Sequence, residues 1–319
     1  MLHLRLIVPP DRTGAVLEHL AATPGVVHIV HGTGTTSQPA GDVVLCDVAR
    51  EATNDVVEWL QDHGIHRDGA IVIEAVEVVV SDAAAGAEAS SPGEGGDALI
   101  WEQLEGRVRD EATLTASFLV FMAIAATIAA VGILLDSAVL VIGAMVVGPD
   151  YGPLAALCVA IVRRRAGPGA IAARTIGAGL AAAAVAAFVG TVLFRLTSIA
   201  PDAYDISERQ LTSFISRPDG LAAVVAILAG IVGMLALTEA RSGALIGVLV
   251  SVTTIPAVGN IGAAAAYGAW DEVGGAALQL AINVVGLVVA GCITLAVQAR
   301  QTTRRRRHGP VAVGGHCGR

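Results

Sequence analysis

The chain has 319 residues, of which 54% are hydrophobic and 15% charged, and its mean hydropathy is +0.69, too apolar for a soluble domain of ordinary composition. The formal net charge of −8 is unevenly placed: residues 1–112 carry 19 of the 28 acidic and 6 of the 20 basic residues, a net of −13 against +5 for the remainder. Cys46, Cys158, Cys292 and Cys317 show no CxxC spacing, so neither a disulfide framework nor a zinc site is indicated.

Residues 2–8 alternate apolar and polar as a strand, and Pro9 and Pro10 close it. Asp11 to Ala22 reads as a helix with Val16, Leu17 and Leu20 on one face, and Gly25 to His31 as a second strand. A Gly- and Thr-rich loop follows over residues 32–42, then a strand to Val48, a helix over Glu51 to His63, and a strand over Ala70 to Val80. The order βαββαβ over residues 1–80 predicts an α+β domain of the ferredoxin-like class, with a regulatory or oligomerising role by analogy of fold. No basic and apolar leader precedes it, so the domain is expected to stay cytoplasmic. His28, His31, His63 and His66 have no carboxylate or cysteine at a metal-ligand spacing and read as solvated surface.

Residues 81–99 are small, acidic and without periodicity, which predicts a flexible linker. In residues 100–112, Trp101, Leu104 and Val108 fall at helical spacing, predicting an amphipathic helix at the membrane surface with Trp101 among the headgroups.

Residues 113–299 hold six apolar segments: Leu114 to Leu135, Ser137 to Val162, Ala170 to Leu196, Leu221 to Thr238, Ala244 to Tyr267 and Val273 to Val297. The expectation is a polytopic α-helical membrane protein of six spans. Arginines 163–165 and 304–307 follow the second and sixth segments, which places both termini in the cytoplasm and the chain in the inner membrane. Residues 300–319 form a basic cytoplasmic tail whose arginines adjoin a span, which suits anionic lipid or topology and not nucleic acid.

The second segment is interrupted by Gly148, Pro149, Asp150, Tyr151, Gly152 and Pro153. Proline removes a backbone donor and clashes with the preceding turn, and irregular backbone at membrane depth persists only inside protein or beside a wet cavity. Pro149 falls about 12 residues into this segment and Pro256 about 12 residues into the fifth. Two triplets of spans with interrupted middle members predict an inverted 3+3 repeat with a binding site at the two breaks. The candidate substrate or ion ligands are Gly148, Pro149, Asp150, Tyr151, Ser251, Thr253, Thr254, Pro256, Asn260 and Asn283. A carboxylate at the centre of a span costs about 2.5–3.5 kcal/mol, so Asp150 must be paired, protonated or wet. It either helps bind a cation or proton, or caps the second half-helix through backbone N–H groups. Ser251, Thr253 and Thr254 either join the site or back-bond to helix carbonyls.

The stretch from Glu111 to Leu154, including GAMVVGPDYGP, resembles the hydrophobic bacterial and archaeal membrane proteins of domain of unknown function 389. Residues 242–259 and Asn283 are similar to the second half of that family, and the resemblance runs from about Trp101 to Val297. It attaches family-motif positions to Gly143, Ala144, Met145, Pro149, Gly152, Pro153 and Gly243. It departs at Asp150 and Tyr151, where the family carries two apolar residues, and at Ile255, where it carries a proline before Pro256. The resemblance implies an integral membrane protein and brings no established activity.

The expected function is a transporter or channel for a small solute or ion, embedded in the lipid bilayer, homo-oligomeric and regulated by its front domain. The alternative is a membrane-anchored sensor or scaffold without transport. No catalytic constellation is visible, so no enzyme is expected, and the sequence identifies no cofactor.

Overall fold

A computed structural model of the chain describes residues 1–76, 78–91, 100–201, 204, 211–217, 219–238 and 254–307. The chain divides into two units, one of residues 1–104 with 298–319 and one of residues 105–297.

The first unit is built on strands β1 (Leu2–Val8), β2 (Val26–Ser37), β3 (Ala40–Val48) and β4 (Ala70–Ala75), with helices α1 (Thr13–Ala22), α2 (Arg50–Asp62) and a single turn α3 (Ile65–Asp68). The sheet is antiparallel in the order β2-β3-β1-β4. Leu2, Leu4, Leu6 and Val8 alternate inward beside Val44, Cys46 and Val48, and they meet Val16 and Leu20 of α1 and Val56, Val57 and Leu60 of α2. Period-two strands and helical i, i+3, i+4 spacing thus share one core.

Three expectations in this unit need correction. Residues 32–42 are not a loop: β2 continues to Ser37 and β3 begins at Ala40, with the Thr36 hydroxyl donating to the Gly41 carbonyl at 2.8 Å. The β-branched threonines there suit a strand more than their glycine neighbours suggest. Within the stretch expected to be a linker, Asp82–Ser90 is a helix, α4, which packs Ala84 and Ala87 inward. The Ser81 hydroxyl caps it by accepting from the Ala84 N–H, and the alanine run supplies helix propensity. Residues 92–99 lie outside the described part. The fourth strand ends at Ala75, short of the expected Val80.

Helix α5 (Trp101–Glu111) contains the division between the units, with Leu104 and Val108 buried. In the second unit the helices are α6 (Ala116–Leu134), α7 (Ala138–Val147), α8 (Tyr151–Val162), α9 (Ala166–Leu196), α10 (Gly220–Thr238), α11 (Thr254–Tyr267) and α12 (Trp270–Arg307). α6, α9, α10 and α12 are each long and apolar enough to cross a membrane, and α7 with α8 passes the same test as a pair bent by 53°, the form of a broken span or a re-entrant loop. The described residues therefore hold up to five of the six expected spans. The first half of the remaining one, Ala244 to Tyr267, lies outside them together with Ser251 and Thr253.

These helices have apolar exteriors. Phe121, Ile142, Val189, Ile227, Val289 and Ile293 are all exposed, the arrangement of helices solvated by lipid. Their interior is rich in small residues: Ala125, Ala126, Ala129 and Ala130 of α6 and Ala183 and Ala187 of α9 lie about α11, together with Phe118 and Met122. A Cβ placed at Gly262 would fall 2.6 Å from the Ala184 carbonyl oxygen, and one at Gly259 would fall 2.9 Å from that of Ala126. Only glycine permits this approach, which is how helices gain contact where lipid offers no hydrophobic drive.

Candidate functional site

The bend between α7 and α8 follows from its residues. Gly148 ends α7, Pro149 cannot continue its hydrogen bonding, and Asp150 stands at the cap position of α8. Asp150 makes no side-chain capping bond to α8. Its carboxylate instead accepts a hydrogen bond from the Thr254 hydroxyl, at the head of the described part of α11. The pair joins residues 104 positions apart, and a carboxylate that accepts a hydroxyl avoids the cost of an unpartnered buried acceptor. Gly148 is the second contact of the bend with α11: a Cβ there would lie 2.5 Å from the Ile255 side chain.

A cavity of about 10 Å3 lies beside the pair, lined by Asp150, Thr254, Phe118, Met122, Pro153 and Leu180 among others. It has room for about one water, and its walls are apolar except for the carboxylate and hydroxyl.

The remaining candidates disperse. Tyr151, buried to 6% exposure, turns to α10, where a Cβ at Gly233 would meet its hydroxyl oxygen at 2.4 Å. That hydroxyl has no hydrogen-bond partner among the described residues. Pro256 is buried within α11 and marks no break in its described part. Asn260 accepts from the Tyr204 hydroxyl, and the Tyr204 ring packs 5.3 Å from that of Tyr267. Asn283 accepts from Gln279 at 3.2 Å inside α12, a buried pair made within one helix. Of the eight expected ligands among the described residues, Gly148, Pro149, Asp150 and Thr254 meet at one place.

Sequence reasoning missed Asp136, which sits at positive φ in the α6–α7 turn. Its carboxylate accepts from the backbone N–H groups of Leu211 (3.1 Å) and Thr212 (2.9 Å) and from the Thr212 hydroxyl (2.9 Å). A lone acid between two apolar runs was the available signal, but its partners are 75 and 76 residues away. Glu105 was missed likewise. It accepts from Arg163 at 3.0 Å and Arg165 at 2.6 Å, so the arginine cluster is held by a carboxylate of α5.

In the front unit His3, His28 and His31 do meet carboxylates, through register. His3 pairs with Asp47 across β1 and β3, and His28 reaches the same carboxylate from β2, at 2.8 and 2.7 Å. Burial alone would raise the Asp47 pKa, but the two histidine hydrogen bonds outweigh it and hold the carboxyl below its ordinary value. Asp42 is also lowered, first by the Gly34 N–H and then by the Thr13 hydroxyl. Burial, with Asp47 adjacent, pushes the Cys46 thiol up to about 12, so it stays protonated and inert. No cluster of three or more metal-ligating side chains occurs among the described residues.

The apolar helices and the bent pair define a polytopic α-helical protein of the membrane type. Residues 145–289 match the model of a family described as Domain of unknown function (DUF389). The chain is similar to that family from the end of α7 to about the middle of α12, a stretch that holds the bend and α11 and leaves out the front unit, α6 and most of α7. No curated protein and no solved structure matches the chain.

Proposed function

We propose that the chain is a transporter or channel for a small solute or ion, acting where the α7–α8 bend meets α11. The observation that carries this reading is the Asp150–Thr254 pair: a carboxylate and a hydroxyl from separate elements converge at a break in an apolar span. Interrupted helices present unpaired backbone dipoles, and a carboxylate beside them suits a cation or a proton. Gly148, Pro149, Asp150 and Thr254 form the centre of the site, and Ser251 and Thr253 are assigned to it by their nearness to Thr254 in sequence.

On this reading six spans form two inverted triplets in the inner membrane, with both termini cytoplasmic and α5 at the membrane surface. The βαββαβ front unit is a ferredoxin-like module that senses a ligand or pairs subunits of a homo-oligomer. The reading assigns neither catalysis nor nucleic-acid binding.

The test is flux in proteoliposomes, with proton and alkali-cation gradients read by a pH dye and a potential dye. Asp150→Asn is expected to lower flux at least tenfold while leaving the melting temperature in detergent within a few degrees. Wild-type flux in Asp150→Asn would overturn the reading.

One observation favours the alternative, a membrane-anchored sensor or scaffold without transport: the cavity at Asp150 holds about 10 Å3, little more than a single water. If the spans only pack, no gradient tested drives flux, and partner binding maps to residues 1–80.

A further inference from the structure

An apolar hollow with charged walls lies in the second unit away from the bend. It has a volume of about 280 Å3 between α5, the end of α8 and the start of α9. Val108 and Ala112 of α5, Val159 and Ala160 of α8, and Pro168 and Ile171 of α9 form its apolar wall. Arg109, Arg163, Arg165 and Glu105 complete the lining.

The charges do not cancel. Glu105 is one carboxylate shared by Arg163 and Arg165, and Arg109 adds a third guanidinium, so the described lining side chains sum to +2. Its position is fixed by the chain: Arg163 and Arg165 occupy the turn between two apolar helices, and Arg109 stands in the last turn of α5. The Thr175 hydroxyl donates to the Ala112 carbonyl at 2.8 Å and holds the end of α5 against α9, so the hollow is built and not a gap between loose elements.

We propose that this hollow binds one anionic phospholipid, its headgroup phosphate on Arg109 and Arg165 and the upper part of an acyl chain along Val108, Val159 and Ile171. A free anion would be served by the arginines alone and would leave an apolar wall wet. A zwitterionic lipid would meet the same wall but leave the surplus positive charge unmatched. An anionic amphiphile matches both halves, and basic pockets between helices at the membrane boundary are where such headgroups collect. Glu105 acts as a positioning residue, holding two guanidiniums at the rim. The proposal is independent of the transport reading.

The test uses the full chain in mild detergent, titrated with phosphatidylglycerol, phosphatidylcholine or inorganic phosphate, with bound lipid counted by native mass spectrometry. Phosphatidylglycerol is expected to bind at least fivefold more tightly than phosphatidylcholine. Arg109→Gln and Arg165→Gln are each expected to weaken it about fivefold, the effect of one arginine near an anionic surface. Arg5→Gln, in the front unit, leaves it unchanged. Should Arg165→Gln fail to fold once Glu105 loses a partner, Arg109→Gln carries the test, because Arg109 makes no ion pair among the described residues. Equal binding of the two lipids, or an Arg109→Gln variant that retains wild-type affinity, overturns the proposal. Displacement of phosphatidylglycerol by inorganic phosphate at equal concentration also overturns it, in favour of a free-anion site.

Discussion

The two units of this chain solve the packing problem with different residues. The front unit fills its core with Leu2, Leu4, Leu6, Leu20 and Leu60, large side chains that leave water on folding. The apolar unit packs Ala125, Ala126, Ala129 and Ala183 closely beside a few large side chains such as Phe118 and Met122, and turns many other large apolar side chains outward. In water, area removed from solvent rewards bulk in the core. In lipid that reward vanishes, and close backbone approach takes its place. The same twenty side chains are thus sorted in opposite directions by two solvents.

That contrast breaks most visibly at the glycines of α11. Gly262→Leu sets a side chain against the Ala184 carbonyl and is expected to cost about 3 kcal/mol or more. The check is the monodisperse fraction in gel filtration, which should fall to a small part of wild type. Next is Leu4→Ala in the front core, expected to cost about 2–5 kcal/mol. Hydrogen exchange on the whole chain should show faster exchange in residues 1–76 with α6 and α9 unchanged. Acceleration in all of them would mean that the units do not fold separately.

A smaller effect is expected at the bend. Thr254→Val leaves the Asp150 carboxylate without its hydroxyl partner and is expected to cost about 1–3 kcal/mol. Asp150→Asn keeps an acceptor for Thr254 and should cost less. Thermal unfolding of both variants orders the two effects, and the reverse order would show that the pair does not hold the bend to α11.

The smallest effect is one of pH and belongs to the front unit. Asp42 and Asp47 have folded pKa values below their ordinary 3.8, so they contribute stability at neutral pH that is lost as pH falls through 3.8 toward the folded values. His19, lowered by burial and by His63, acts in the same direction near pH 6.5. The midpoint of the front unit is expected to fall in those two steps, and Asp47→Asn should shrink the acid one. Circular dichroism against pH checks both.

Much of this architecture was legible in residues that act locally. Strand alternation, the apolar lengths of the helices and the interruption at Gly148–Pro153 each depend on neighbours a few positions away. The helix over Asp82–Ser90 was missed because its composition resembles a linker, although the Ser81 cap and the alanine run were there to be read. The hairpin through residues 32–42 was missed because glycines mask the strand preference of the threonines between them.

What the sequence by itself determined is therefore most of the elements, the change of composition between the two units and the break in the second apolar segment. Only the tertiary structure decided the partners: Asp150 with Thr254, Tyr151 with Gly233, Asp47 with two histidines, and Glu105 with two arginines. Backbone preferences reach a few residues along the chain, whereas a side chain's partner is set by the register and packing of elements up to 104 residues apart.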